Sequence, residues 1–163
     1  MTTEQELVKI FKIVVKAVAE DMYDLLMDLM DKIVYDAGDP QRYMTGARFG
    51  ADGGTLRGSF FITEPEQIGR MIEAKIYHDP DSLQERDDDN IYDFVHGSNY
   101  WTPHDFRPYL MTTLIKGLGG SFFGDGWWTE ARDFWTPFEE MSKDGTMDAL
   151  FRKHFAKFGI TYI

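Results

Sequence analysis

The chain has 163 residues, of which 43% are hydrophobic and 15% aromatic, enough to bury the core of one domain. It carries 17 basic and 28 acidic residues, a formal net charge of −11. Because such an acidic surface repels phosphate, we expect no specific nucleic acid ligand. The absence of cysteine excludes disulfides, thiolate metal sites and cysteine nucleophiles, and favours a reducing or redox-indifferent compartment.

The N-terminal segment has the charge pattern of neither a signal peptide nor a membrane span. Lys9, Lys12 and Lys16 interrupt its only early apolar stretch. Five acidic residues then follow at close spacing: Glu20, Asp21, Asp24, Asp28 and Asp31. We therefore expect a soluble protein that is not inserted in a membrane.

Residues 1–36 predict one long amphipathic helix from about Glu4 to Tyr35. Apolar residues recur there at three- and four-residue steps, and no Gly or Pro precedes Gly38. At 1.5 Å per residue the helix would be about 45 Å long, more than a small domain needs. Two interpretations follow: one end contacts a partner, or the helix is the main core helix with a kink or break near Glu20–Asp21.

Residues 55–115 predict an antiparallel sheet. Alternating apolar residues indicate strands over Thr55–Thr63 and Ile68–Tyr77, joined by a turn at Glu64–Gln67. Ile91–Val95 predicts a third strand, and Tyr109–Ile115 is compatible with a strand or a short helix. We expect one strand face to pack on one helix face. The strand residues are Leu56, Phe60, Ile62, Ile72 and Ile76, with Ile68 and Ala74 also inward; the helix residues are Phe11, Val14, Val18, Leu25 and Leu29.

Residues 136–158 predict one or two C-terminal helices. Thr136 and Glu139 form a capping-box pattern around Pro137, and the helix ends or kinks near Gly145. Thr146 can cap a last helix that Gly159 stops. Ile160–Ile163 is compatible with a final edge strand.

Together these elements predict a single α+β domain over residues 1–163, with the long N-terminal helix packed on a small antiparallel sheet.

None of the four histidines (His78, His96, His104 and His154) lies in a helical metal-binding pair. His96, His104 and Asp105 share one loop, but ordinary hydrogen-bonded loop histidines are the favoured interpretation. In the acidic run from Asp79 to Asn90, Leu83 and Gln84 occupy positions where a calcium loop needs a ligand and a glycine. The glycines at 117–120 lack the Lys-Ser/Thr pair of a phosphate loop. We therefore predict no catalytic residue, metal or cofactor.

Residues 117–128 form a glycine and aromatic loop that carries Phe122, Phe123, Trp127 and Trp128. Such rings either pack into the core or anchor an interface. We favour an interface for Phe122 and Phe123 at the loop tip, and a stabilising role for Trp127 and Trp128 beside the next helix.

Three short motifs occur in order along the chain. Tyr43-Met44-Thr45-Gly46 is followed, after an insertion, by Leu56-Arg57-Gly58-Ser59-Phe60; then come Tyr92-Asp93-Phe94-Val95-His96-Gly97-Ser98 and Arg107-Pro108-Tyr109-Leu110. In this order they resemble the small head–tail joining, or tail-completion, proteins of the neck of tailed bacteriophages. His96 stands where that family usually has an acidic residue.

The resemblance implies a long helix packed on an antiparallel sheet, multimerised as a ring between head and tail, without catalysis. It implies other copies of the chain and other neck or tail proteins as partners. The location would be the virion, reached from the host cytoplasm during assembly. Two other functions stay open: an acidic adaptor or inhibitor that binds a basic partner, and a small metal-dependent enzyme built on His96, His104 and Asp105.

Overall fold

The computed structural model describes residues 3–35, 56–82, 110–116 and 131–161. The chain has the predicted α+β fold: a long N-terminal helix, a small antiparallel sheet and C-terminal helices. Within the described ranges, no helix combines the length and the apolar character needed to cross a bilayer.

Helix α1 spans Glu4–Met30 without a break and continues into a π-helical segment, Asp31–Tyr35. A break near Glu20–Asp21 is therefore wrong. A reciprocal pair of hydrogen bonds caps the start of α1. The Thr3 N–H donates to Glu6 Oε2 over 2.8 Å, and the Glu6 N–H donates to Thr3 Oγ1 over 3.3 Å. This is a capping box, which satisfies two N–H groups that have no partner inside the helix.

The buried side chains of α1 and the π-helical segment recur every four residues: Val14, Val18, Met22, Leu26, Met30 and Val34. Because an α-helix turns once every 3.6 residues, each step of four rotates the buried stripe by about 40°. The stripe therefore turns through about 160° between Val14 and Met30. This rotation corrects the predicted core face, since Phe11 is exposed while Met22 and Leu26 are buried.

The sheet region is one long hairpin made of four short strands. Strand β1 (Phe60–Ile62) pairs with β4 (Ile76–His78), and β2 (Glu66–Ile68) pairs with β3 (Met71–Glu73), both antiparallel. The turn lies at Gly69–Arg70 and not at the predicted Glu64–Gln67. Gly69 has φ +62°, and no other residue type in the described chain has positive φ. Glycine at the first central position is typical of a type II′ hairpin turn.

The two halves of the hairpin are out of step by one residue. Three residues separate Ile62 from Glu66, but two separate Glu73 from Ile76. Thr63 N–H donates to Lys75 O over 2.9 Å and so continues the pairing of β1 with β4. The extra residue therefore falls at Glu64–Pro65, where the missing N–H of proline breaks no ladder hydrogen bond. This is a β-bulge.

The first strand starts later than the sequence predicts, because Arg57–Ser59 is a 3₁₀ turn. Ser59 Oγ donates to Leu56 O over 2.6 Å, and the Ser59 N–H donates to the same oxygen over 3.2 Å. A serine side chain that bonds its own backbone in this way competes with strand pairing.

The ambiguous segment near residue 110 is helix α2, Leu110–Lys116. Helix α3 spans Trp135–Met141, so it begins one residue before the predicted cap Thr136. Glu139 accepts a hydrogen bond from Trp135 Nε1 over 2.9 Å.

Helix α4 spans Thr146–Ala156. Asp144, and not Thr146, supplies the side-chain cap, since its Oδ1 accepts the Thr146 N–H over 2.8 Å.

The predicted stop at Gly159 is confirmed. Gly159 has φ +68°, its N–H donates to Ala156 O over 3.0 Å, and the Ile160 N–H donates to Phe155 O over 3.2 Å. These two bonds form a Schellman motif, in which glycine occupies the left-handed position. Ile160 and Thr161 lie in no strand; residues 162–163 are outside the described ranges.

The chain falls into two compact units. Unit 1 comprises Met1–Leu29, Phe60–His78 and Trp135–Ile163; unit 2 comprises Met30–Ser59 and Asp79–Phe134. The single-domain organisation stays a prediction.

In unit 1, α1 contacts the hairpin through the Tyr23 hydroxyl, which donates to Phe60 O over 3.4 Å, and through the ion pair of Lys16 with Glu64. The buried side chains of this unit are Val14, Val18, Met22, Leu26, Met27, Phe60, Phe138, His154 and Phe155. The Phe60 ring stacks on Trp135 at a centroid distance of 6.3 Å. Phe60 and Leu56 are buried as predicted, whereas Ile62, Ile72 and Ile76 are half-buried and Ile68 is exposed.

In unit 2, Arg132 links two segments. Its Nη1 donates to Val34 O over 3.2 Å, and its backbone N–H donates to Leu114 O over 2.7 Å. Arg57 also forms an ion pair with Asp31 at 3.0 Å. The buried side chains of this unit are Met30, Val34, Leu56, Ser59, Leu114 and Phe134.

Candidate functional site

A charged cluster joins the first and last helices of unit 1. Asp21 Oδ2 on α1 accepts hydrogen bonds from two side chains of α4, Lys153 Nζ over 2.7 Å and His154 Nε2 over 2.9 Å. On the other side of the imidazole, Lys157 Nζ lies 3.3 Å from His154 Nδ1. Neighbouring positions 153, 154 and 157 of one helical turn thus converge on one carboxylate and one buried ring.

The hydrogen-bond partners define the state of His154, which is only 6% exposed. The carboxylate of Asp21 only accepts, so Nε2 carries a hydrogen; the Lys157 ammonium only donates, so Nδ1 is the acceptor. We therefore assign His154 as the neutral Nε2–H tautomer. The hydrogen bond from Lys153, then that from His154, lowers the pKa of Asp21 and keeps its carboxylate ionised.

This arrangement differs from a nucleophilic triad. In a Ser-His-Asp site the second imidazole nitrogen faces a hydroxyl that it can deprotonate. Here that nitrogen faces an ammonium group, which has no lone pair with which to attack, and the ring is buried. The geometry supports a role for the cluster in fixing α4 on α1.

Unit 1 also presents apolar side chains to solvent at the end of its hairpin. Ile68 and Met71 lie directly opposite each other across the turn and are 49% and 66% exposed. Glu66 and Glu73 form the next pair on the same face, because side chains alternate along a strand. We call Glu66, Ile68, Met71 and Glu73 the hairpin tip.

A second exposed apolar area lies where α1 begins and α4 ends. The rings of Phe11 and Phe155 meet edge to face at 5.0 Å. Leu7, one turn before Phe11, and Phe158, three residues after Phe155, are also exposed. We call Leu7, Phe11, Phe155 and Phe158 the aromatic surface. Its floor is Phe155, which is buried and stacks on Phe151 at 6.1 Å.

The interface residues predicted from the sequence, Phe122, Phe123, Trp127 and Trp128, lie outside the described residues, as do His96, His104 and Asp105. His78 lies on β4 with its ring 5.1 Å from that of Phe60, and so belongs to the hairpin and not to the predicted polar loop. Among the described residues, no group of three or more His, Asp or Glu side chains is arranged to hold a metal ion.

Sequence reasoning missed the pairing of Asp21 with His154, although a signal was present. His154 lies on the same side of α4 as Phe151 and Phe158, which are three residues before and four residues after it. A polar residue in an apolar stripe requires a buried hydrogen-bond partner. The sequence did not indicate which of the 28 acidic residues would supply it.

No family model, no curated protein and no solved structure matches the chain.

Proposed function

We propose that the protein is a structural subunit of a multi-copy assembly: a ring in the neck of a tailed bacteriophage that joins head and tail or completes the tail. The observation that carries the proposal is the placement of exposed apolar side chains in unit 1. They lie on the hairpin, on the first half of α1 and just after α4: Leu7, Phe11, Ile13, Phe61, Ile68, Met71, Tyr77 and Phe158.

Clustered exposed apolar side chains are typical of surfaces that become buried on association. Phe61 and Tyr77 form one such cluster, because they are paired across β1 and β4 with their rings 5.8 Å apart. Aromatic side chains of this kind supply much of the binding energy of protein interfaces. The net charge of −11 keeps free chains apart, so assembly depends on these surfaces and on partners.

The resemblance to neck proteins supports the same function. Its described part, Leu56 to Phe60, forms the 3₁₀ turn that leads directly into β1. This is the place in the fold that the family motif implies. The partners in this proposal are other copies of the chain and other neck or tail proteins, and the final location is the virion.

The test is the position of the protein in virus particles. The chain carries an epitope tag in the phage genome that encodes it, and virions are purified and labelled with gold-conjugated antibody. We expect label at the junction of head and tail. Tagged protein that stays in the cell lysate, with normal virions that carry no label, would contradict the proposal.

A second candidate is an acidic adaptor or inhibitor of a basic protein, which a different surface favours. Glu20, Asp24 and Asp28 are exposed at four-residue spacing on α1. Side chains at this spacing lie on one side of a helix and present a row of carboxylates. Replacing all three with the neutral amides should abolish binding by an adaptor. The same change should leave virions assembled if the protein is a neck subunit.

A further inference from the structure

The hairpin tip has a charge arrangement that is unfavourable in isolation. Glu66 and Glu73 are directly opposite each other across β2 and β3, and like charges at such positions destabilise a hairpin. The ion pair of Glu73 with Lys75, at 3.0 Å, compensates one of the two carboxylates. With Ile68 and Met71 exposed beside them, the tip is an apolar pair backed by two acidic groups.

The aromatic surface has the complementary character. Phe11 and Phe158 provide exposed rings over Phe155. Arg152 and Lys157, both exposed, lie on α4 beside Phe155 and Phe158. In a chain of net charge −11, the end of α4 is thus a basic region next to an apolar one.

We propose that the hairpin tip of one copy docks on the aromatic surface of a second copy. Ile68 and Met71 cover Phe11 and Phe158, and Glu66 faces the ammonium group of Lys157. The inference rests on the proposed function and names its contact between copies. Both surfaces belong to unit 1, so every copy offers one of each, and the contact is head to tail. Such a contact propagates until rotation closes it into a ring.

The contact is small compared with the roughly 1,200–2,000 Å² of a stable interface. It therefore holds copies together weakly on its own and gains strength when many contacts close a ring or when partners add surface.

Disulfide capture tests the docking, because the chain contains no cysteine of its own. Copies with Met71→Cys are mixed with copies with Leu7→Cys and oxidised mildly. The matched control is Ile13→Cys, which is 55% exposed on the same helix but lies outside the aromatic surface. We expect cross-linked heterodimers of the first pair in several-fold excess over heterodimers of Met71→Cys with Ile13→Cys.

A charge reversal then identifies the polar part of the contact. Glu66→Lys in the Met71→Cys copy should lower the yield of cross-link, and Lys157→Glu in the Leu7→Cys copy should restore it. The folded state of each variant is verified by its unfolding transition. Reduction without rescue would show that these two side chains do not face each other, and would overturn the proposed register.

The result separates the docking from the function. Equal cross-linking to Leu7→Cys and Ile13→Cys, or cross-links mainly between two Met71→Cys copies, would overturn the docking but leave self-association in place. Absence of any cross-link also overturns the docking. The position of the tagged protein in virions decides the proposed function independently of these outcomes.

Discussion

Asp21 connects three side chains that are far apart in sequence, and its removal leaves a buried polar ring without its carboxylate partner. Asp21→Ala takes away the acceptor of both His154 Nε2 and Lys153 Nζ. A buried group that loses its hydrogen-bond partner destabilises the fold by about 1–3 kcal/mol. We expect Asp21→Ala to lower the free energy of unfolding by this amount, measured by urea denaturation.

The control is Asp24→Ala, three residues further along the same helix. Asp24 is exposed, so its replacement should change the free energy of unfolding by no more than about 0.5 kcal/mol. Both substitutions remove one negative charge and introduce the same helix-favouring residue. Equal effects of the two would mean that the Asp21 cluster contributes nothing beyond charge and helix propensity.

The same carboxylate should make stability depend on pH in the acid range. Its hydrogen bonds hold the pKa of Asp21 below the ordinary value, which is about 3.9 in unfolded chains. A group with a depressed folded pKa contributes stability above the unfolded pKa, and this contribution is lost as pH falls through the folded pKa. The difference in unfolding free energy between the wild type and Asp21→Ala should therefore be full at neutral pH and shrink below about pH 4. A difference that grows on acidification would contradict this assignment.

At the scale of the element, the end of α4 depends on one glycine. Gly159 has φ +68°, a conformation that puts the Cβ of other residues too close to the backbone and costs roughly 1–2 kcal/mol. We expect Gly159→Ala to lower the free energy of unfolding by about that much, as measured by chemical denaturation. Gly159→Asn is the matched control, because asparagine tolerates this region better. A smaller loss for alanine than for asparagine would show that the Schellman motif does not control the helix end.

Strand β1 tests which face of the hairpin belongs to the core. Phe60 is buried against Trp135, whereas its neighbour Phe61 is exposed beside Tyr77. Phe60→Ala should destabilise the protein by about 3–5 kcal/mol, and Phe61→Ala by less than about 1 kcal/mol. Thermal and urea unfolding of the two variants measure both effects. Since a shift of one residue exchanges the two faces of a strand, the opposite order would mean that the register is wrong.

The hairpin also shows how far a sequence pattern reaches within an element. Alternation of apolar residues predicts two antiparallel strands, and both exist. The turn was misplaced because Pro65 is typical of turns, yet here it lies in a bulge. Gly69 has the backbone conformation that a two-residue turn needs, and the positions of Ile68 and Met71 follow from it.

At the scale of the whole molecule, charge governs association. With a net charge of −11, free chains repel one another, and added salt screens this repulsion. We expect light scattering to show a monomer or weak association at low salt, and an increase in apparent mass with salt at fixed concentration. A stable ring that persists at low salt and low concentration would contradict the role given to charge.

The sequence by itself determined the fold class and most of the elements. The periodicity of α1, the two alternating stretches around residue 69 and the stop at Gly159 are local properties, and each depends on residues close together in the chain. Backbone preference and hydrophobic period therefore suffice to predict them.

Only the tertiary structure decided which side chains meet. The pairing of Asp21 with His154 spans 133 residues, and nothing local selects that acidic residue among the others. The buried stripe of α1 likewise rotates with each four-residue step, because the helix packs against different segments along its length. A local pattern shows that a residue needs a partner, but the partner is chosen by packing between segments that are distant in sequence.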